Sequence, residues 1–137
     1  MSEVLPIRRI LNERDRGFAA AVVVPLGPRS MIFISGEVGR DDSGKIAAAS
    51  FEAETRQCFA NLKFALQRAG AEFRDVVRIT AYVKDLADYA VYAQVRNEIF
   101  GADWPASASV GVSDLLLGAR IEIDAVAVVS NDAPVKP

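Results

Sequence analysis

The chain has 137 residues, 51% of them apolar and 25% charged, enough for one domain to bury a core without disulfides or metals. A net charge of −2 with no basic cluster argues against nucleic acid as a partner, and a single cysteine excludes an intrachain disulfide and points to a cytoplasmic location. There is no histidine, so a Ser-His-Asp triad, a Cys-His pair and a histidine-based zinc site are excluded, and neither a metal nor a cofactor is expected. No leader pattern opens the chain. The longest apolar run, Phe18 to Leu26, is too short to cross a membrane and contains Pro25.

In chain order, Ile7 to Leu11 can start an edge strand, and Phe18 to Val24 predicts a second strand ended by Pro25. The turn residues Gly27-Pro28-Arg29-Ser30 lead into Met31-Ile32-Phe33-Ile34, whose fully apolar character predicts a central strand. Ser35-Gly36-Glu37 follows. Gly36 is open to two readings: a close approach of ligand to a backbone without Cβ, or a β-bulge. Asp41-Asp42-Ser43-Gly44 is turn chemistry.

Ser50 reads as the N-cap of a helix with Glu52 and Glu54 in its first turn; Cys58, Leu62, Ala65, Leu66 and Ala69 trace its apolar face and Gly70 stops it. Cys58 on that face is a buried small hydrophobe. Val76 to Lys84 alternates, with Val77, Ile79, Ala81 and Val83 on one side and Arg78, Thr80, Tyr82 and Lys84 on the other. Asp85 caps a second helix that ends at Phe100-Gly101. A strand opens after Pro105, and after a loop Ile121 to Val129 alternates, with Glu122 and Asp124 away from Ile121, Ile123, Ala125 and Ala127. If these last two strands are neighbours, Ser107 and Ser109 come within reach of the Glu122 carboxylate, a small-ligand site. Residues 130–137 read as a flexible tail after an ordered core of about 7–129 in a single domain, 1–137.

The expected architecture is α+β: a mixed sheet of about six strands with two helices on one face. The uncovered face is too apolar to stay wet, so an oligomer is expected.

Ile34-Ser35-Gly36, Tyr82-Val83-Lys84-Asp85-Leu86, Pro105-Ala106, Val110-Gly111-Val112 and Ile121 to Ala127, in this order from about Met31 to Val129, resemble the RidA/YjgF family. These are small trimeric proteins whose best-known members are enamine/imine deaminases. The resemblance implies a chorismate-mutase-like fold and a homotrimer with small-molecule clefts between neighbouring subunits. It also implies hydrolytic deamination of small reactive imines and enamines, a form of metabolite damage control. Glu122 matches the family's water-handling carboxylate and is the catalytic candidate, against the reading of a solvent-facing strand residue.

The candidates for substrate binding are Ser35, Gly36, Ser107, Ala108, Ser109 and Arg120. Three positions depart from the family pattern. Ser107 stands where the deaminating members carry an arginine that grips the substrate carboxylate, Ala93 where an asparagine is frequent, and Ser109 where a cysteine is common. Arg120, two residues before Glu122, is the cation that could substitute, and Phe18 is the aromatic nearest the family's pocket tyrosine. The alternative function is a non-catalytic trimer that binds a metabolite or a protein. A ribonuclease is disfavoured by the charge and the missing histidine.

Overall fold

The structure is a computed structural model that describes residues 4–12 and 16–131. Its strands are β1 (Arg8–Leu11), β2 (Ala19–Leu26), β3 (Arg29–Val38), β4 (Val76–Val83), β5 (Ala106–Gly111) and β6 (Ile121–Ser130); its helices are α1 (Phe51–Arg68) and α2 (Tyr89–Phe100). They build one six-stranded sheet in the order β1-β2-β3-β6-β4-β5, antiparallel except for the parallel pair β4–β5, which α2 connects. Both helices lie on one face, so the expected α+β architecture holds.

β6 is the spine of the sheet. Its alternation is as regular as its sequence, with Ile121, Ile123, Ala125 and Ala127 all 2% exposed or less on the helix side. α1 starts where its cap predicts, Ser50 accepting the Ala53 N–H at 3.0 Å. Its buried face, Cys58, Phe59, Leu62 and Leu66, covers β3 and β6. Phe59 stacks on Tyr92 of α2 and meets Phe73 and Phe100 edge-on, which ties the two helices together. Each large side chain buried here contributes about 1.5–3 kcal/mol.

The other face of the sheet carries a block of apolar side chains in register. Val22, Phe33 and Val126 lie side by side across β2, β3 and β6, as do Val24, Met31 and Val128. Phe33 is 46% exposed, and among the described residues no helix covers this face. Among the described residues no helix is long and apolar enough to cross a membrane.

Several expectations are corrected. Pro25 does not end β2; it pairs with Ser30 beyond Arg8↔Val23, the last β1 pair, where its missing N–H deprives no neighbour. The hairpin turn is therefore only Gly27-Pro28, with Gly27 at φ +64. In β4 the register shifts between Val76 and Arg78, so Val76 is buried and Val77 is 47% exposed. Asp85 caps a short 3-10 turn, Leu86–Asp88, that precedes α2 rather than α2 itself. Of the tail expected over residues 130–137, the first two residues are held in place. Ser130 is the last residue of β6 and Asn131 hydrogen-bonds Ser30 and Gly27, while residues 132–137 lie outside the described residues.

Arg120 has a structural post. It donates its main-chain N–H to Glu54 Oε2 at 2.6 Å and its Nε to Glu54 Oε1 at 2.7 Å, and Glu54 is fully buried in α1. Gly39 makes room for that helical turn, since a Cβ there would lie 2.3 Å from the Glu54 carbonyl oxygen. Removing one partner of a buried pair strands the other's charge. Arg120→Ala is therefore expected to lower the unfolding free energy by about 3 kcal/mol, read from urea denaturation.

Candidate functional site

Glu122 lies on the open face of β6, between Val38 of β3 and Tyr82 of β4. The β3–β6 register breaks between Ile34 and Glu37, leaving Ser35 and Gly36 in a bulge. A Cβ on Gly36 would stand 3.0 Å from Glu122 Cδ and 3.2 Å from Oε2. The bulge reading of Gly36 thus holds, and what the glycine admits in this chain is the Glu122 carboxyl itself. Ser35 Oγ donates to the Ala19 carbonyl at 2.6 Å, pinning the bulge to β2. Ser35, Gly36 and Glu122 are therefore brought together.

Burial, and then the neighbouring Asp124 charge, raise Glu122 above the ordinary carboxylate range. Tyr82 Oη donates to Asp124 Oδ2 at 3.1 Å, so the aromatic flanking Glu122 is Tyr82. Phe18 stands just before β2 and is 53% exposed. Sequence reasoning put Tyr82 on a polar face but lacked the strand order that makes it a neighbour of Glu122.

The bulge also decides the side of Glu37, which pairs with Ile123 and so faces the helices. It opens into a groove of about 480 Å³ lined by Asn12, Arg16, Arg40, Asn61 and Arg68. Burial lifts its pKa from 4.5 to about 7, Arg16 opposing the rise and Glu122 adding to it. The Glu37 carbonyl accepts the Cys58 thiol at 3.0 Å; that thiol is fully buried, and burial pushes its pKa well up. Sequence reasoning missed this carboxyl because one inserted residue reverses the face.

The serines are elsewhere. β4 lies between β5 and β6, and Ser107 and Ser109 are in register with Ile79 and Ala81, whose side chains face the helices. The expected contact of Ser107 and Ser109 with Glu122 is therefore absent within one chain: an intervening strand, β4, and opposite faces separate them. The expectation failed because it took strands adjacent in sequence to be adjacent in space, and a crossover intervenes. Ala108 shares the open face, but two strands away from β6, roughly 10 Å. Arg120 is held by Glu54, so it is not the free cation the sequence offered for a ligand carboxylate.

Among the described residues no cluster of His, Cys, Asp or Glu could hold a metal ion. What the central strands present is a partly dry carboxylate of raised proton affinity beside a backbone bulge, able to exchange a proton with a bound water.

A six-stranded mixed sheet with two helices on one face, and an acid on its central strand against a glycine bulge, places the molecule in the class of RidA/YjgF-like α+β proteins. The chain belongs to the endoribonuclease L-PSP family, whose family model matches residues 17–129. A RutC family protein of Pyrococcus abyssi is 37% identical over 111 residues, 75% of this chain and 87% of the relative. The human 2-iminobutanoate/2-iminopropanoate deaminase is 35% identical over 98 residues, 71% of this chain and 72% of the relative. The crystal structure of the YjgF gene product of E. coli superposes with a TM-score of 0.73 at 31% identity, covering 84% of this chain and 90% of that one.

The Glu37 proton has a measurable signature. Between pH 4.5 and about 7 the folded chain keeps it while the unfolded chain releases it, so this group makes stability fall as pH rises through that window. Each tenfold in proton affinity is worth about 1.4 kcal/mol, which puts the whole fall on the order of 3 kcal/mol. Glu37→Gln is expected to flatten that part of the stability profile, gaining more over wild type at pH 8 than at pH 4.5 in denaturant titrations.

Proposed function

We propose that this protein is a hydrolytic deaminase of small, reactive 2-imino or enamine acids, with Glu122 handling the water. The observation that carries the reading is the Glu122 carboxyl itself. It is half-buried, raised in proton affinity, and set against the Gly36 bulge on the open face of the sheet. The names of the deaminase relatives give the substrate class.

The chemistry balances without a cofactor. Water adds its oxygen to the imine carbon while Glu122 takes its proton and passes it to nitrogen. The tetrahedral carbinolamine then collapses to the 2-oxo acid and ammonia. A carboxylate with proton affinity closer to neutral both accepts and returns that proton efficiently.

The site is built across a subunit boundary. Glu122 and the Ser107–Ser109 edge occupy opposite faces of one chain, so a cleft that uses both draws them from two subunits. The apolar block around Phe33, Val126 and Met31 gives the subunits a reason to associate, and a homotrimer accommodates three such clefts. Nucleic acid is a poor ligand for a chain of net charge −2 without histidine, and neither a membrane nor a cofactor has a role. A cytoplasmic setting suits the lone buried thiol. One observation favours a second reading, a non-catalytic trimer that binds a metabolite: Ser107 brings no charge to a ligand carboxylate.

Ammonia release from freshly generated 2-iminobutanoate separates the two. Wild type is expected to accelerate it, with a rate that climbs with pH through the raised Glu122 ionisation and then levels off. Glu122→Gln is expected to lose about a hundredfold or more. Light scattering is expected to give three times the 14.8 kDa chain mass. Equal release with and without Glu122, or a protein that is monomeric at assay concentration, would remove the deaminase reading.

A further inference from the structure

We propose that Arg96 is the cation of an anion-binding subsite in the groove between α2 and β5, and that this subsite takes the carboxylate of a small 2-imino or 2-oxo acid. The choice of acid rests on the deaminase reading; the subsite itself rests on the geometry around Arg96.

The groove is shallow, about 480 Å³, and lined by Leu86, Tyr89, Arg96, Ser107 and Ser109. It runs into a second hollow of about 330 Å³ where Arg96 and Ser107 meet Trp104 and Pro105. Its volume suits a small organic acid. The Arg96 guanidinium rests over two rings, 5.4 Å from the Tyr92 centroid and 5.9 Å from that of Tyr89. Its hydrogen bonds are long and neutral: Nη1 to Tyr89 Oη at 3.4 Å and Nε to Asn97 Oδ1 at 3.3 Å.

No carboxylate among the described residues pairs with Arg96, whereas Arg56, Arg74 and Arg120 each have one. A half-buried arginine flattened on aromatic faces, with its charge unmatched, is pre-ordered for a planar anion.

Neutral donors converge on the same spot. The β4–β5 register turns Ser107 and Ser109 toward the helix side, where they line the same groove as Arg96. The Tyr92 hydroxyl is fully buried against Ser107 and Arg96, its polar neighbours in this corner. That corner sets Ser107, itself exposed, as the hydroxyl that meets a ligand beside the guanidinium. This arrangement also reassigns the substitute cation: Arg120 is fixed on Glu54, and Arg96 is the arginine beside Ser107.

In the subunit-boundary cleft, Arg96 would orient the acid while Glu122 of a neighbouring subunit handles the water. Arg96 is thus a positioning and specificity residue, and it touches the carboxylate rather than the reacting carbon.

The test measures binding apart from turnover. The assembled protein is titrated with 2-oxobutanoate, the hydrolysis product of 2-iminobutanoate, and with its uncharged methyl ester, followed by ligand-observed NMR. Saturable binding of the acid is expected, with the ester about tenfold weaker. Arg96→Gln should weaken the acid about tenfold or more and leave the ester unchanged. Arg96→Lys, which keeps the charge but loses the planar fork, should fall between them. Circular dichroism and mass establish that each variant is folded and assembled; if Arg96→Gln is not, Arg96→Lys is read by the same criterion.

Acid affinity within twofold of wild type in the variant, an ester that binds as well as the acid, or no saturable acid binding to wild type overturns the proposal. The two readings fail separately. Arg96-dependent binding with no ammonia release sustains the subsite and removes the deaminase. Normal ammonia release in Arg96→Gln, with unchanged acid binding, does the reverse.

Discussion

The centre of this molecule depends on one buried carboxylate. Glu54 sits in the first turns of α1 with no exposure to solvent, and it holds Arg120 by both its main-chain N–H and its side-chain Nε. Such a group is tolerable in the interior only because both oxygens are occupied by donors, one of them charged. The consequence is positional. Arg120 is the residue before β6, so gripping its backbone fixes where the central strand begins and, two residues on, where Glu122 stands. Gly39, pressed against the Glu54 carbonyl, closes the same junction from β3's end.

From that junction the sheet sorts its acids onto two sides. The extra residue at Ser35-Gly36 reverses the alternation of β3, sending Glu37 toward the helices while Glu122 remains on the open face. Glu122 is near enough to add to the raised proton affinity of Glu37, although the backbone of the sheet lies between them. Only one shares a face with the apolar block around Phe33. Proximity of charge and access to ligand are therefore separate properties here, and the bulge sets both.

Much of this was legible in the chain and some was not, for physical reasons. The period-2 pattern of Ile121 to Val129 gave both the strand and the side of Glu122, because a strand buried on one face has few other ways to satisfy that pattern. Ser50 announced its helix through a local hydrogen bond that needs no tertiary context. Strand order is a different kind of fact. Ser107 and Glu122 look like neighbours in sequence, but α2 carries the chain across to a parallel edge and β4 takes the place between them. The post of Arg120 depended on a helix turn 66 residues earlier. The half-buried cation beside Ser107 lies on a helix whose pattern advertised only its tyrosines. Bulges at Gly36 and Val77 shift faces by one residue, which periodicity alone cannot register.

The edge position of β5 has an evolutionary consequence. Its side chains are mostly exposed and it pairs only with β4, so exchanging residues there disturbs little of the core. Glu122 is the opposite case, packed against Gly36 so closely that a Cβ there would press on its carboxyl. A lineage built this way can drift at positions 107 and 109 almost without thermodynamic penalty while its central acid stays in place. The β5 edge becomes the quickly varying part and the acid against Gly36 the slow one, so chains that share this architecture and its glutamate can still diverge along that edge.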